Sequence, residues 1–263
     1  MSAPFWRLLD LEDTDPYLNV ALEEAIMKCV GKKIVPCSLR FWRNATAVII
    51  GSFQCAELEV DPVFCQRNKI PVIRRISGGG AVYHDLGNLN YSLFVTKDHS
   101  FDDVYHDTSS AVVQTLHSMN VDAVQVSRNT ITFNERKISG LAGARKNGAS
   151  LIHGSLLINA NLELLSDVLG LSGRLMASDD GRRKYVRSKK MDVINLADAL
   201  RQEICLSQIK SALQQSFENV FSIKFVQRGL SGLEKSLVNE LYAKKYCSDD
   251  WNFKYQFAPI VRN

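Results

Sequence analysis

The stretch Ile-Pro-Val-Ile-Arg-Arg-Ile-Ser-Gly-Gly-Gly-Ala-Val-Tyr-His-Asp-Leu-Gly-Asn at 70–88 limits the possible folds more than any other part of the chain. Its start, Ile70 to Arg75, apolar as far as Ile73, and the short run Ala81 to Tyr83 read as strands, and three consecutive glycines between them stop any helix. The triplet therefore sits on a turn between strands. No Gly-Lys-Ser/Thr follows, which excludes a P-loop, and the spacing is not Gly-x-Gly-x-x-Gly, which excludes a dinucleotide-binding turn ahead of a helix. Glycines let backbone N–H groups approach a ligand closely, and Arg74 and Arg75 supply fixed positive charge, so the stretch suits phosphate or carboxylate oxygens. A plain hairpin turn would use the same glycines. The flanking Arg pair and His84-Asp85 favour the ligand-binding reading.

Around this turn the order of elements is irregular. Asp15-Pro16 and Asp61-Pro62 are helix starts, with Asp as cap and Pro at the first helical position. Leu18, Ala21, Leu22 and Ile26 keep one apolar face to about Cys29. The runs 38–42 and 47–51, separated by Arg43-Asn44-Ala45-Thr46, predict a hairpin. Strands are expected at 89–95, 124–126, 130–133, from 137, at 151–159 and at 222–227. Helices are expected at 103–119, 162–169, 196–203, 207–221 and 233–246, with Asn120 a stop for the first of them. Without βαβ alternation, the pattern predicts an α+β fold, a mixed β-sheet with flanking helices. The least patterned connection is 170–192.

At 263 residues, 46% hydrophobic and 23% charged, the chain can bury a core without metal or disulfide staples. A net charge of +4 gives no argument for nucleic acid. No apolar run is long enough to span a bilayer, and the first residues carry neither a secretory nor a transit-type leader. Six cysteines at 29, 37, 55, 65, 205 and 247 form no Cys-x-x-Cys pair and read as reduced thiols. Five histidines with no ligand spacing argue against a protein-bound metal.

Two further segments carry chemistry. In Asn134-Glu135-Arg136-Lys137-Ile138-Ser139-Gly140-Leu141-Ala142-Gly143, a lysine just after a tight turn precedes small residues that let a ligand lie close to the backbone. It also reads as a solvated hairpin lysine. In Leu151-Ile152-His153-Gly154-Ser155-Leu156-Leu157, a histidine interrupts an apolar strand, as a hydrogen-bonded core histidine would. The basic run Arg182, Arg183, Lys184, Arg187, Lys189, Lys190 reads equally as a solvated face or as a ligand-covering loop.

Together these pieces resemble the lipoate-protein ligase A family. The resemblance rests on Arg-Arg-x-Ser-Gly-Gly-Gly-Ala-Val-Tyr-His-Asp-Leu-Gly-Asn at 74–88, Arg-Asn and a strand at 128–133, Lys-Ile-Ser-Gly at 137–140 and His-Gly-Ser-Leu-Leu at 153–157. Asn19-Val20-Ala21-Leu22-Glu23-Glu24, Val48 to Gly51 with Gln54, and Trp251-Asn252-Phe253 extend it over nearly the whole chain. It implies the lipoate/biotin ligase catalytic-domain fold over 1–263 as a single domain, without the C-terminal accessory domain of longer relatives.

The resemblance also implies an activity. Lipoate and Mg-ATP give lipoyl-AMP, and a lysine of a lipoyl domain then takes the acyl group. Acceptors would be 2-oxoacid dehydrogenase acyltransferase subunits and the glycine cleavage H protein. Lys137 matches the family's essential lysine. Arg75, Gly80, Ala81, Val82, Tyr83, Asn129 and Lys137 would hold ATP and the adenylate. Ser77, Gly78, Gly79, His84, Lys137, Ser139, Gly140, Ala142, His153 and Gly154 would line the lipoate slot. Arg182, Arg183, Arg187 and Ser188 would cover the adenylate. The cofactors implied are ATP with Mg2+, and the compartment is cytoplasmic, or mitochondrial in a eukaryote.

Thr130 stands where the family commonly has Asp, removing a carboxylate from the nucleotide side. That departure and the missing accessory domain point to an alternative, a lipoyltransferase that uses preformed lipoyl-AMP or a separate accessory subunit. A further alternative is a carrier-protein octanoyl or lipoyl transferase working through a Cys thioester, for which the chain offers no cysteine between Cys65 and Cys205. A non-catalytic lipoyl-AMP sensor would have no use for Lys137.

Overall fold

The structure is a computed structural model, and it describes residues 4–169 and 185–253. The chain opens with β1 (Phe5–Asp10), absent from the expectations above, and then α1 (Pro16–Gly31). Asp15 starts α1 as its chemistry dictates, its side chain accepting from the amides of Tyr17 and Leu18. β2 (Ser38–Trp42), β3 (Ala47–Ile50), α2 (Ala56–Glu59) and α3 (Pro62–Arg67) follow, α3 capped by Asp61 in the same way. Then come β4 (Val72–Arg74), β5 (Val82–His84) and β6 (Asn88–Thr96). α4 (Phe101–Ser118) ends before Asn120, whose φ of 61° is left-handed. β7 (Val124–Ser127), β8 (Thr130–Phe133), β9 (Arg136–Lys146) and β10 (Ala149–Leu157) form consecutive hairpins. Asn134 and Glu135, at φ of 48° and 63°, make the tight turn between β8 and β9.

The remainder is α5 (Leu162–Leu169), α6 (Leu196–Leu200), α7 (Leu206–Phe221), β11 (Lys224–Gln227), α8 (Gly232–Leu241), a π-helical turn (Tyr242–Tyr246) and α9 (Asp249–Phe253). The strands make an eight-stranded sheet of order β11-β1-β2-β6-β10-β9-β8-β7 and a three-stranded sheet of order β4-β3-β5. β11, β1 and β2 run parallel and the rest of the large sheet is antiparallel, so the expected mixed-sheet α+β fold is found.

Alternation along β6 sorts the two faces. Leu89, Tyr91, Leu93 and Val95 join the core beneath α4 and α7, while Phe94 turns to the other side with α1, α8 and the small sheet. The even-numbered polar residues Asn88, Asn90 and Ser92 lie on that second side, and with them the floor of the site.

The hairpin expected between 38–42 and 47–51 does not form, because β2 joins the large sheet and β3 is the centre of the small one. Every residue of both strands is buried, so each has a covering layer that a local hairpin would deny it. β4 and β5, on either side of the glycine turn, do not pair with each other either. Both pair with β3, β4 parallel and β5 antiparallel. Among the described residues no helix is long and apolar enough to cross a membrane.

Candidate active site

Cross-strand register lays the floor out in rows. One row runs Trp42 (β2), Asn90 (β6), Ser155 (β10), Gly140 (β9), Thr130 (β8), and the next runs Arg40, Ser92, His153, Ala142. Residues opposed in this way share a face, so Gly140, Ala142, His153 and Ser155 form one surface, while Ser139, Leu141 and Gly154 turn to the other face.

The glycine turn lies over that floor, and Arg75 is its internal frame. Its Nε donates to Ser77 Oγ (2.9 Å) and its terminal nitrogens to the carbonyls of Ile49 (2.9 Å), Gly78 (2.6 Å) and Gly80 (2.7 Å). Burial is the main force on its pKa, pulling it down to about 10 against the opposing fields of Glu23 and Tyr105. Gly79 has φ +87°, and a Cβ there would lie 3.0 Å from the Arg75 guanidinium and 3.4 Å from Ala142, so backbone and floor meet without a side chain between them. At the end of the turn, Ala81 donates its amide to Ser188 Oγ at 2.8 Å. Arg74 faces the other way. Fully buried, it donates to the carbonyls of Gly51, Gln54, Trp251 and Asn252, while Trp251 Nε1 donates back to the Arg74 carbonyl.

Lys137 is aimed by a bulge. Ile131 pairs with Ser139 but Thr132 pairs with Lys137, so Ile138 is an extra residue on β9. The slip offsets the two-residue alternation and brings Lys137 and Gly140, three apart, onto one face. A Cβ on Gly140 would lie 2.7 Å from Lys137 Cε and 2.8 Å from Nζ. The lysine backbone is held on its free edge by Asp192 and Ile194, in hydrogen bonds of 2.7 and 3.0 Å. Burial first, and the charge of Arg75 second, pull the ammonium below its ordinary pKa. Among the described residues no carboxylate pairs with it.

Beneath the turn runs a buried polar network. Glu23 Oε1 accepts from Ser92 Oγ (2.6 Å) and His153 Nδ1 (2.7 Å), and His153 Nε2 lies 2.7 Å from Ser77 Oγ. Burial works to raise the Glu23 pKa, but the charge and hydrogen bond of His153, with Ser92 and Arg40, outweigh it and hold the carboxyl low. A second chain orders itself by donor logic. Arg40 can only donate, so Asn19 presents Oδ1 to it and Nδ2 to Asn44 Oδ1 (2.9 Å), which turns Asn44 Nδ2 to His84 Nδ1 (3.1 Å). His84 therefore accepts through Nδ1. Its pKa falls to about 3, mainly by burial and next by Arg75.

The sign of the resulting pH dependence follows directly. An unfolded His84 takes a proton near its ordinary 6.5 and the folded one only near 3, so in that window the unfolded chain binds more protons. Its contribution is complete above about 6.5 and is lost as pH falls towards 3. In denaturant titrations at about pH 7.5 and about pH 5, His84→Gln is expected to lose less stability on acidification than the parent. Equal losses would contradict this.

A cleft of about 450 Å³ at the end of the turn is lined on one side by Ala81, Val82 and Tyr83, on the floor by Asn88, Ser155 and Gly140 with Ser139 beside them, and elsewhere by Lys137, Ser188 and Asp192. Lys189, Lys190 and Arg136 add positive charge to its wall. Arg75, Ser77, His84, His153 and Ala142 lie behind this lining, in the buried networks and floor rows. The glycine turn roofs the neighbouring floor row, with Gly79 over Ala142 and Gly80 against Ser188, and Gly154 backs the floor, its Cβ position 2.2 Å from Tyr91 Oη. Asn129 is exposed on the β7–β8 turn, its carbonyl accepting from Leu141 at 3.0 Å. Arg187 reaches Glu59 (3.0 Å) and the Leu58 carbonyl (2.9 Å). Arg182 and Arg183 lie outside the described residues.

Glu23, Asn19, Asn44, Ser92 and Arg40 were not among the expected site residues, although Asn19 and Glu23 lie in a segment that carries the family resemblance. A signal was present for two of them, since Asn19 and Glu23 stand among apolar residues in a helix whose buried side they share. Among the described residues no group of three or more His, Cys, Asp or Glu is placed to hold a metal ion.

The described residues thus bring together a glycine turn, a polar floor and a lysine that pairs with no carboxylate among them. Residues 15–218 match the model of the lipoyl protein ligase A/B catalytic domain, and the chain belongs to that family. Within it, the chain is 35% identical to lipoate-protein ligase A subunit 1 of Thermoplasma acidophilum over 258 residues, covering 94% of this chain and 95% of that one. A structure of a bi-partite lipoate protein ligase from the same organism superposes with a TM-score of 0.81 at 32% identity, covering 98% and 100%. A lipoate-protein ligase A bound with ATP superposes with a TM-score of 0.80 at 32% identity, covering 96% and 99%. The protein is an enzyme of this ligase kind.

Proposed function

We propose that the chain activates lipoate with ATP to lipoyl-AMP and passes the lipoyl group to the ε-amine of a lysine on lipoyl domains. The observation that carries this reading is the Lys137 ammonium, which pairs with no carboxylate among the described residues and shares one cleft with Ala81, Val82 and Tyr83 at the end of the glycine turn. In the first step a carboxylate oxygen attacks the α-phosphorus and pyrophosphate leaves. Two anions are brought together, and a fixed cation beside backbone dipoles lowers that barrier without reorganising. In the second, the acceptor amine attacks the acyl carbonyl and AMP leaves.

The roles expected are those that the family resemblance implies. Gly80, Ala81, Val82, Tyr83, Asn129 and Lys137 serve the nucleotide, with Arg75 acting on it through the turn that it frames. Ser77 to Gly79, His84, Ser139, Gly140, Ala142, His153 and Gly154 shape the acyl slot. A Mg2+ ion that arrives with ATP keeps most of its ligands from phosphate and water, and Asp192 is the carboxylate on the cleft wall that could complete them. The relative named subunit 1 supports a companion subunit for this chain too. All six cysteines are free thiols, which supports a reducing compartment such as the cytoplasm, or the mitochondrion in a eukaryote. None of them lines the cleft, which weighs against a thioester route.

The deciding experiment is lipoate-dependent ATP–pyrophosphate exchange, with and without a companion subunit, followed by modification of a lipoyl domain. Exchange is the expected result. Modification from octanoyl carrier protein without ATP would overturn the reading, and modification only from supplied lipoyl-AMP would reduce it to a transferase.

A further inference from the structure

Asn90 is 1% exposed, and neither its amide nitrogen nor its amide oxygen has a hydrogen-bond partner among the described residues. Buried polar side chains are rarely left so. Its neighbours on the same face of β6 are both engaged, Asn88 with Ser155 Oγ (3.2 Å) and Ser92 with Glu23 (2.6 Å). Asn90 therefore stands between the cleft wall and the Glu23–His153–Ser77 network, with nothing from either.

Its place in the floor suggests what it meets. Asn90 opposes Ser155, and Ser155 opposes Gly140, over which the Lys137 ammonium lies. Two strand spacings, roughly 10 Å, separate Asn90 from Gly140 along a straight row. If the acyl carboxyl sits at Lys137, as proposed above, four extended methylenes laid along that row bring the ring of lipoate to Asn90. The ring's two sulfurs are the only heteroatoms on that end of the acid.

We propose that Asn90 is a specificity-determining residue, donating an amide hydrogen to a dithiolane sulfur and so favouring lipoate over octanoate. Sulfur is a weak acceptor, but octanoate offers the amide nothing, and a site built around a hydrogen bond rejects the analogue that lacks it. This inference rests on the ligase reading.

The test is the binding of free lipoate and free octanoate to the purified chain by calorimetry, for the parent, Asn90→Leu and Asn90→Ser. Leucine keeps the volume and removes both polar atoms. The lipoate-to-octanoate affinity ratio is expected to fall roughly tenfold in Asn90→Leu, the size of one modest hydrogen bond, through weaker lipoate binding with octanoate unchanged or tighter. Asn90→Ser, whose shorter side chain does not carry its hydroxyl out to the position of the amide, is expected to lower the ratio likewise and supplies the same readout if the leucine variant does not fold. An unchanged ratio, or equal losses for both acids, would show the amide to be satisfied by buried water or to act only structurally, and would end the inference while leaving the ligase reading intact. A parent chain that binds neither acid would end both.

Discussion

Lys137→Ala is expected to slow lipoyl-adenylate formation at least roughly a hundredfold, the effect of removing about 3 kcal/mol of transition-state stabilisation by a preorganised donor. The fold should not suffer. Lys137 is half-buried beside Arg75, its pKa is depressed by burial and by that like charge, and no carboxylate among the described residues loses a partner when it goes. Thermal unfolding within a few degrees of the parent, with exchange nearly abolished, is the outcome that separates a chemical role from a structural one. Gly140→Ala probes the same ammonium from its other side, because the added methyl would need the space where Nζ lies at 2.8 Å. It is expected to impair exchange in the same direction. Lys137→Ala exchanging at half the parental rate would remove the cation from the mechanism.

Arg74→Met is expected to act on stability instead. Its guanidinium is the donor for buried carbonyls from two distant segments, Gly51 and Gln54 on one side and Trp251 and Asn252 on the other. Losing a buried charged donor and stranding its acceptors costs roughly 4 kcal/mol. For a chain of this size that corresponds to a fall of roughly 8–16 °C in melting temperature. Amide exchange should quicken first in α9, whose attachment to β4 runs through Arg74, Trp251 and Asn252. A fall of under 2 °C, on the order of half a kcal/mol, would mean that the cluster is replaceable by simple packing.

Much of this was legible in the sequence because it is local. The two Asp-Pro starts, the left-handed pair Asn134-Glu135 and the glycine turn follow from one or two residues each, and all stand where expected. Strand partnership is not local. The residues of β2 and β3 announce extended chain but carry no record of which sheet will take them, and a four-residue connection reads as a hairpin until a second sheet claims one strand. β1 was missed for the same reason, since its partners β2 and β11 are both parallel and one lies at the far end of the chain.

For the site, the residue types were legible and their layering was not. Ser77, His84 and His153 were expected at the ligand. The structure sets them within networks closed by Glu23 and Asn44, whose positions depend on how α1 crosses the floor. The bulge that aims Lys137 was also out of reach, since an extra residue in β9 is defined only by the register of β8.

Roof and floor belong to different sheets that share no ladder. Away from the direct meeting of Gly79 and Ala142 they are joined through side chains, Ile49 and Ile73 of the small sheet sharing one core with Phe94, Ala144 and Leu151 of the large one. Trading one methyl group at those five positions would shift the two sheets against each other while every main-chain pairing stayed as it is. The spacing of the two sheets is thus adjustable by repacking alone.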